Sequence, residues 1–282
     1  MKFTTRIKQF IYPLYIYWRA NGRVRRKLHA IYDEYAQQAK AGVATTHKGH
    51  PLKLFSSLDE DGIILWLMAT LGIKQGHFVD VGSNDCINSN CASLALNFNW
   101  SGIFIDADKR LLNIGRRNYR RFGKSHRLQF VQSFVTPETI NALLHTHLQG
   151  REVDFMSIDI DGNDYEIFEA ISTRPKVFVV ENKVEYGSYD IAITERNGAG
   201  FQAEDYGASP YTMTRLAEAK GYTLVAANVQ GFNTFYLRND LVKLPFIKLE
   251  LEALLSESEV KKDLYGAERM EGLVKRQAKP IA

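Results

Sequence analysis

The sequence predicts one doubly wound α/β domain with a mainly parallel sheet, a carboxyl-terminal antiparallel hairpin and a basic helical arm in front. Three observations predict it. Short apolar runs around Phe78, Ile103, Phe130, Met156 and Val179 alternate with amphipathic stretches, the pattern of strands that need crossover helices. The sharp polar residues fall at the carboxyl ends of those runs, where open α/β sheets gather ligands. A chain of 282 residues, 45% of them hydrophobic, suits one large domain with extensions. The expected boundaries are 1–50 for the arm and linker, 51–240 for the α/β domain and 241–282 for a helical tail.

The arm is defined by charge. Lys2, Arg6, Lys8, Arg19, Arg23, Arg25, Arg26 and Lys27 precede the first acid, Asp33, which leaves 28 of the 36 bases against 32 acids. Between them Phe10 to Trp18 is aromatic and apolar but far short of the roughly 20 residues that span a bilayer. Arg19 and the following bases break the pattern of a cleaved signal peptide. Two readings fit: a stripe that meets an anionic membrane surface, or a helix packed on the domain with solvated bases. Nucleic acid is not expected, since no binding module accompanies the charge. Cys86 and Cys91 lack companions at zinc spacing and read as reduced structural residues, which places the chain in the cytoplasm, on the inner face of the membrane if the arm binds there. The oligomeric state is left open.

Asp33 to Ala41 reads as the end of an exposed helix, and 42–51 as a linker holding solvated His47 and His50. Ser57 to Gly72 reads as a helix capped by Ser57 with Glu60 three residues on. The turn at 82–85 follows a buried strand that delivers Asp80, and Gly102 to Asp106 is a second buried strand ending in a carboxylate. Two such acids on neighbouring strands describe a nucleoside pocket, the second suited to ribose hydroxyls. The first turn lacks the three spaced glycines that press backbone against a pyrophosphate, so a ligand without phosphates fits better. Asp108 reads as the cap of the next helix. Thr136, with Pro137 and Glu138, reads as the start of another. Tyr186 to Ala208 has the size of a substrate-covering loop. Thr223 to Ala226 and Thr234 to Leu237 form the closing hairpin, and the tail after Leu249 is charged helix.

The second concentration of acid is Asp159-Ile160-Asp161-Gly162-Asn163-Asp164. Like-charged carboxylates held together imply a cation or a proton between them. Asp161, Asn163 and Asp164 read as turn and cap residues, Asp159 as functional, and Glu181 with Asn182 ends the neighbouring strand.

The motifs Phe78 to Asp85, Trp100 to Asp108, Asp154 to Tyr165, Val179 to Asn182 and Asp205 to Ser209 resemble those of the FkbM-type class I S-adenosylmethionine-dependent methyltransferases, which have a Rossmann-like fold. The resemblance covers about Ser57 to Arg238, with one departure: Cys86 stands where the motif commonly has another Gly. It implies S-adenosylmethionine as cofactor, held by Asp80, Gly82, Ser83, Asn84, Asp106 and Ser133. It implies O-methylation of a sugar hydroxyl on a glycan, glycoconjugate or small-molecule acceptor, with Asp159 and Glu181 as catalytic residues. Asp159, Glu181 and Asn182 are the candidate ligands for Mg²⁺. Two alternatives stand beside it: a metal-dependent glycosyltransferase using Asp159-Ile160-Asp161, and a non-catalytic membrane-associated scaffold.

Overall fold

The computed structural model describes residues 2–194, 205–243 and 246–277. Seven strands form one sheet in the order β3-β2-β1-β4-β5-β9-β8. They are β1 (His77–Val81), β2 (Ser101–Asp106), β3 (Leu128–Gln132), β4 (Phe155–Ile158), β5 (Val177–Glu181), β8 (Tyr222–Ala227) and β9 (Asn233–Arg238). The chain divides into two compact units, Met1–Phe134 with Arg151–Ser157, and Val135–Gly150 with Ile158–Ala282.

In the first unit β1, β2 and β3 run parallel, with Asp80 opposite Phe104 and Ile105 opposite Val131. Gly102 lets the Phe78 ring lie against β2, since a Cβ there would come within 2.5 Å of the ring. Around the strands stand α1 (Lys2–Ala20), α2 (Gly22–Lys40), α3 (Glu60–Thr70), α4 (Ala92–Asn97) and α5 (Lys109–Arg121). The end of α2, from Asp33 to Ala41, is largely the exposed helix that its polar composition suggests, with Tyr35 its one buried residue. Leu28, Ile31, Tyr32 and Tyr35 recur at helical spacing and are buried. His47 is half-buried rather than solvated; its ring lies 5.7 Å from that of Trp66, and burial lowers its pKa. Helix α3 starts two residues later than its capping pattern implies. Asp61 causes the delay, because its Oδ2 accepts the N–H groups of Leu54, Phe55 and Ser56 and holds the preceding chain in a loop. Asp108 caps α5 as expected, accepting from the Arg110 N–H at 2.7 Å.

In the second unit β9 runs antiparallel to both β5 and β8, which is the expected hairpin. Its helices are α6 (Ile140–Leu148), α7 (Asp164–Ala170), α8 (Pro210–Ala219), α9 (Leu251–Ser256), α10 (Ser258–Lys261) and α11 (Ala267–Gln277). Helix α6 begins at Ile140 rather than at Thr136, since the Thr136 N–H donates to Thr139 Oγ1 and closes a turn first. Ser209 caps α8, with Pro210 at its first position. The ends of the expected covering loop pair as β6 (Ala192–Ile193) with β7 (Gly207–Ala208), while 195–204 lie outside the described residues. The tail docks: Met270 and Leu273 of α11 are fully buried with Tyr186, Ile191 and Ile193. No described helix is long and apolar enough to cross a membrane.

Candidate active site

The first unit carries the turn after β1. Gly82 and Ser83 both donate their N–H to the Ile105 carbonyl at 3.0 Å, which seats the turn on the end of β2. Gly82 has a φ of 84° and Asn84 one of 50°, the left-handed region that Gly enters freely and Asn more readily than most residues. The Asn84 N–H donates to Asp106 Oδ2 at 2.7 Å, and the Asp108 N–H to Asp106 Oδ1 at 2.7 Å. Asp106 is thus fixed by two backbone donors and half-buried, each oxygen keeping acceptor capacity. Burial raises its pKa, and the two N–H groups oppose that. Asp80 is almost wholly buried, and the Ser89 hydroxyl donates to its Oδ2 at 2.6 Å. Burial pushes the Asp80 carboxyl up to about 7; the Ser89 bond works against this and the charge of Asp106 adds to it. Asp106 lies one strand over and two residues beyond the partner of Asp80, so the two carboxylates end neighbouring strands. The Ser133 N–H donates to the Asp106 carbonyl at 3.0 Å, bringing the end of β3 to the same edge. Ser83 stands apart from the other expected contacts: its hydroxyl is buried, 3.7 Å from the Cys86 thiol.

Cys86, the departure from the glycine pattern, has a φ of 61°, which explains why glycine suits this position. Its side chain fits because Gly115 of α5 has none. A Cβ on Gly115 would meet Cys86 Cβ and Sγ at 2.7 Å and the Asp85 carbonyl at 2.8 Å. The Tyr119 hydroxyl then donates to the Cys86 carbonyl at 2.8 Å. Asp85 braces the turn from inside, accepting from the Ile87 and Asn88 N–H groups at Oδ1 and from the Tyr12 hydroxyl at Oδ2. Nothing in the sequence pointed to Tyr12, which stands 73 residues away on α1. Phe134, 72% exposed beside Ser133, is another ring at this edge that no pattern marked.

The second unit carries the acid cluster. Oxygens of Asp159, Asp161 and Glu181 all lie within 4.8 Å of one another. Glu181 is mostly buried and its pKa is raised, first by burial, then by the charges of Asp159, Asp164 and Asp161, and by a hydrogen bond with Asp159 that holds a proton between them. Asp164 does what its reading as a turn residue expects: Oδ1 accepts from the Ile160 N–H at 2.8 Å and Oδ2 from the Gly162 N–H at 3.0 Å. Burial pushes Asp164 up to about 6. Asp161 sits in the turn with a φ of 56°, as its structural reading expects, and also brings an oxygen to those of Asp159 and Glu181. Asn182 lines the same cavity of about 110 Å³, with Asp161, Lys183 and Tyr206. Its Nδ2 donates to the Phe232 carbonyl and to Thr234 Oγ1, while Oδ1 is buried without a hydrogen-bond partner among the described residues. These all-oxygen donors fit a hard divalent cation.

A mostly parallel sheet with β9 antiparallel between β5 and β8, and carboxylates ending β1 and β2, defines the class I methyltransferase architecture. Residues 82–192 match the model of the methyltransferase FkbM domain. Asp80 and the Asp205 to Ser209 motif lie outside the matched span. Among solved structures, the O-methyltransferase from Bacillus cereus in complex with SAH is 16% identical with a TM-score of 0.41, over 73% of this chain and 91% of that one. The O-methyltransferase TomG from Streptomyces achromogenes in complex with SAM is 20% identical with a TM-score of 0.42, over 73% and 88%. At these scores neither bears on function, and the fold rests on the sheet order. No curated protein matches the chain.

Proposed function

We propose that the chain transfers a methyl group from S-adenosylmethionine to an oxygen, the acceptor being a sugar hydroxyl of a glycan or glycoconjugate. The observation that carries the reading is Asp106, a carboxylate at the end of β2 fixed by the Asn84 and Asp108 N–H groups and still able to accept from two hydroxyls, within an FkbM-type domain. S-adenosylmethionine, when bound, supplies a methyl carbon made electrophilic by its sulfonium. Asp106 takes the ribose hydroxyls, a charge-assisted recognition. Asp80 provides negative charge beneath Gly82 for the ligand's ammonium group, and the exposed Asn84 side chain offers further hydrogen bonds. Asp159 and Glu181 take up the acceptor's proton, the raised pKa of Glu181 suiting a carboxyl that accepts one. A divalent cation on Asp159, Asp161 and Glu181, with Asn182 Oδ1 beside them, would instead ionise both acids and lower the pKa of a coordinated hydroxyl.

Thermal shift with S-adenosylhomocysteine tests the cofactor half. The ligand should raise Tm, and Asp106→Asn should weaken its binding by roughly 1.5–3 kcal/mol, about 10- to 150-fold. Unchanged affinity in Asp106→Asn would refute the assignment. Stabilisation by UDP with Mn²⁺ instead would favour the glycosyltransferase alternative, and indifference to both ligands would favour the scaffold. For the acceptor half, label from methyl-tritiated cofactor should enter glycan fractions, and adding Mg²⁺ to chelator-treated protein decides the cation's part.

A further inference from the structure

We propose that α1 is an interfacial helix whose outer face docks the protein on an anionic lipid surface. The helix has two unlike sides. On the inner one Ile16 and Ala20 are buried, the Tyr12 hydroxyl reaches Asp85, and the Tyr15 hydroxyl donates to the Leu54 carbonyl at 2.9 Å. Arg19 lies over the Tyr15 ring at 3.8 Å. The helix is therefore anchored by one side to the unit that holds the cofactor turn.

The outer side carries Ile11, Leu14, Tyr17 and Trp18, which are 54%, 60%, 57% and 63% exposed. At about 100° per residue these four fall in one sector of roughly 120°, opposite the packed side chains. Four of the eight strongly exposed large hydrophobics among the described residues thus form one patch on one helix face, not scattered surface contacts. A leucine and an isoleucine flanked by Trp and Tyr suit the headgroup boundary, where a ring can keep its polar edge in water.

Charge selects the occupant. No acid precedes Asp33, whereas eight bases do, and Arg23, Arg26 and Lys27 at the start of α2 are exposed. Two copies meeting through this region would bring like charges together, while an anionic bilayer would neutralise them at about 1 kcal/mol per base near the surface. No described helix could span, so the helix lies on the surface. The proposal does not rest on the methyl-transfer reading. If both hold, the Tyr12 to Asp85 bond ties the docked helix to the cofactor turn.

Trp18 is a built-in reporter, since Trp66 and Trp100 are buried. Full-length protein is mixed with extruded vesicles of phosphatidylcholine, with or without phosphatidylserine. The expected result is a blue shift of tryptophan emission and co-sedimentation with the anionic vesicles, both reduced by salt. Leu14→Glu should lower the apparent vesicle affinity at least about tenfold while keeping the wild-type melting temperature, because Leu14 is outside the core. The proposal is overturned by the absence of a shift, by an equal shift with neutral vesicles, or by Leu14→Glu binding as wild type. It is also overturned if, without lipid, raising protein concentration doubles the sedimenting mass and Leu14→Glu abolishes that, which would assign the face to a second copy.

Discussion

One set of acids in each unit is held in a way opposite to the other. Asp85 and Asp106 at the turn after β1 are surrounded by donors, each carboxylate oxygen receiving an N–H or a hydroxyl. Asp159, Asp161 and Glu181 in the second unit face one another. A carboxylate satisfied by backbone donors keeps its position, which suits recognition of hydroxyls. Carboxylates that crowd one another keep their arrangement only by holding a proton or a cation, which suits chemistry that moves one. Asp80 lies between the two cases, with a single hydroxyl donor and a pKa near neutrality.

The sharpest way to break this comparison is to remove the crowding. Asp159→Asn and Glu181→Gln should each lower turnover by about 10²–10⁴, the range for a lost general base. Affinity for S-adenosylhomocysteine, measured calorimetrically, should stay within about threefold of wild type, because the residues proposed to hold the cofactor lie in the first unit. Parallel loss of turnover and affinity would mean that the acid cluster also binds cofactor, and the division of roles would fail.

Next in size is the packing beneath the turn. Gly115→Ala would place a methyl 2.7 Å from the Cys86 side chain. Overpacking of this kind costs about 1–3 kcal/mol, so Tm should fall by several degrees. S-adenosylhomocysteine should then bind more weakly, since the displaced loop is the one that positions Asn84. A variant as stable as wild type would show that α5 gives way freely and does not hold the turn.

Asp80 yields a pH test of its intermediate standing. Its folded pKa is raised from 3.8 to about 7. An ammonium-bearing ligand prefers the ionised form, so below pH 7 binding must expel a proton. Affinity for S-adenosylhomocysteine should therefore fall about tenfold per pH unit below 7 and level off above it. The same shift acts on stability. The unfolded chain loses this proton near pH 4 and the folded chain only near 7, so the contribution of Asp80 favours folding at low pH and is lost as pH rises through 7. Asp80→Asn should flatten the pH dependence of binding and raise Tm above pH 7. A wild-type pH profile in that variant would assign the titration elsewhere.

The mainly parallel strands, the hairpin, the acids ending β1 and β2 and the cap at Asp108 were legible in the sequence because each depends on local patterning: apolar runs, an acid, then a turn. The misread boundaries share one cause, a side chain that competes with the helix for backbone donors. Asp61 gathers three N–H groups ahead of α3, and Thr139 takes the Thr136 N–H ahead of α6. Long-range contacts left no trace: Tyr12 on Asp85, the hole at Gly115 that admits Cys86, and the docking of Met270 and Leu273. A single sequence shows which residues are unusual for their position, as Cys86 is, but not which distant residue accommodates them.

The smallest expected effect concerns that accommodation. Cys86→Gly relieves a left-handed backbone, which favours glycine by about 1–2 kcal/mol, but glycine also frees the unfolded chain by about 0.5–1 kcal/mol. It removes a fully buried CH₂–SH group as well, worth about 1 kcal/mol. The Tyr119 bond survives because it is made to the backbone carbonyl. These contributions nearly cancel, so chemical denaturation should show a change below about 1 kcal/mol. The informative variant is the pair. With Cys86→Gly in place, the methyl of Gly115→Ala enters the vacated volume and still meets the Asp85 carbonyl, 2.8 Å away. The double-mutant cycle should then give a favourable coupling of about 1 kcal/mol or more. Additive losses would mean that the Asp85 carbonyl, not the thiol, sets how closely α5 approaches, and that glycine at 115 is required whatever stands at 86.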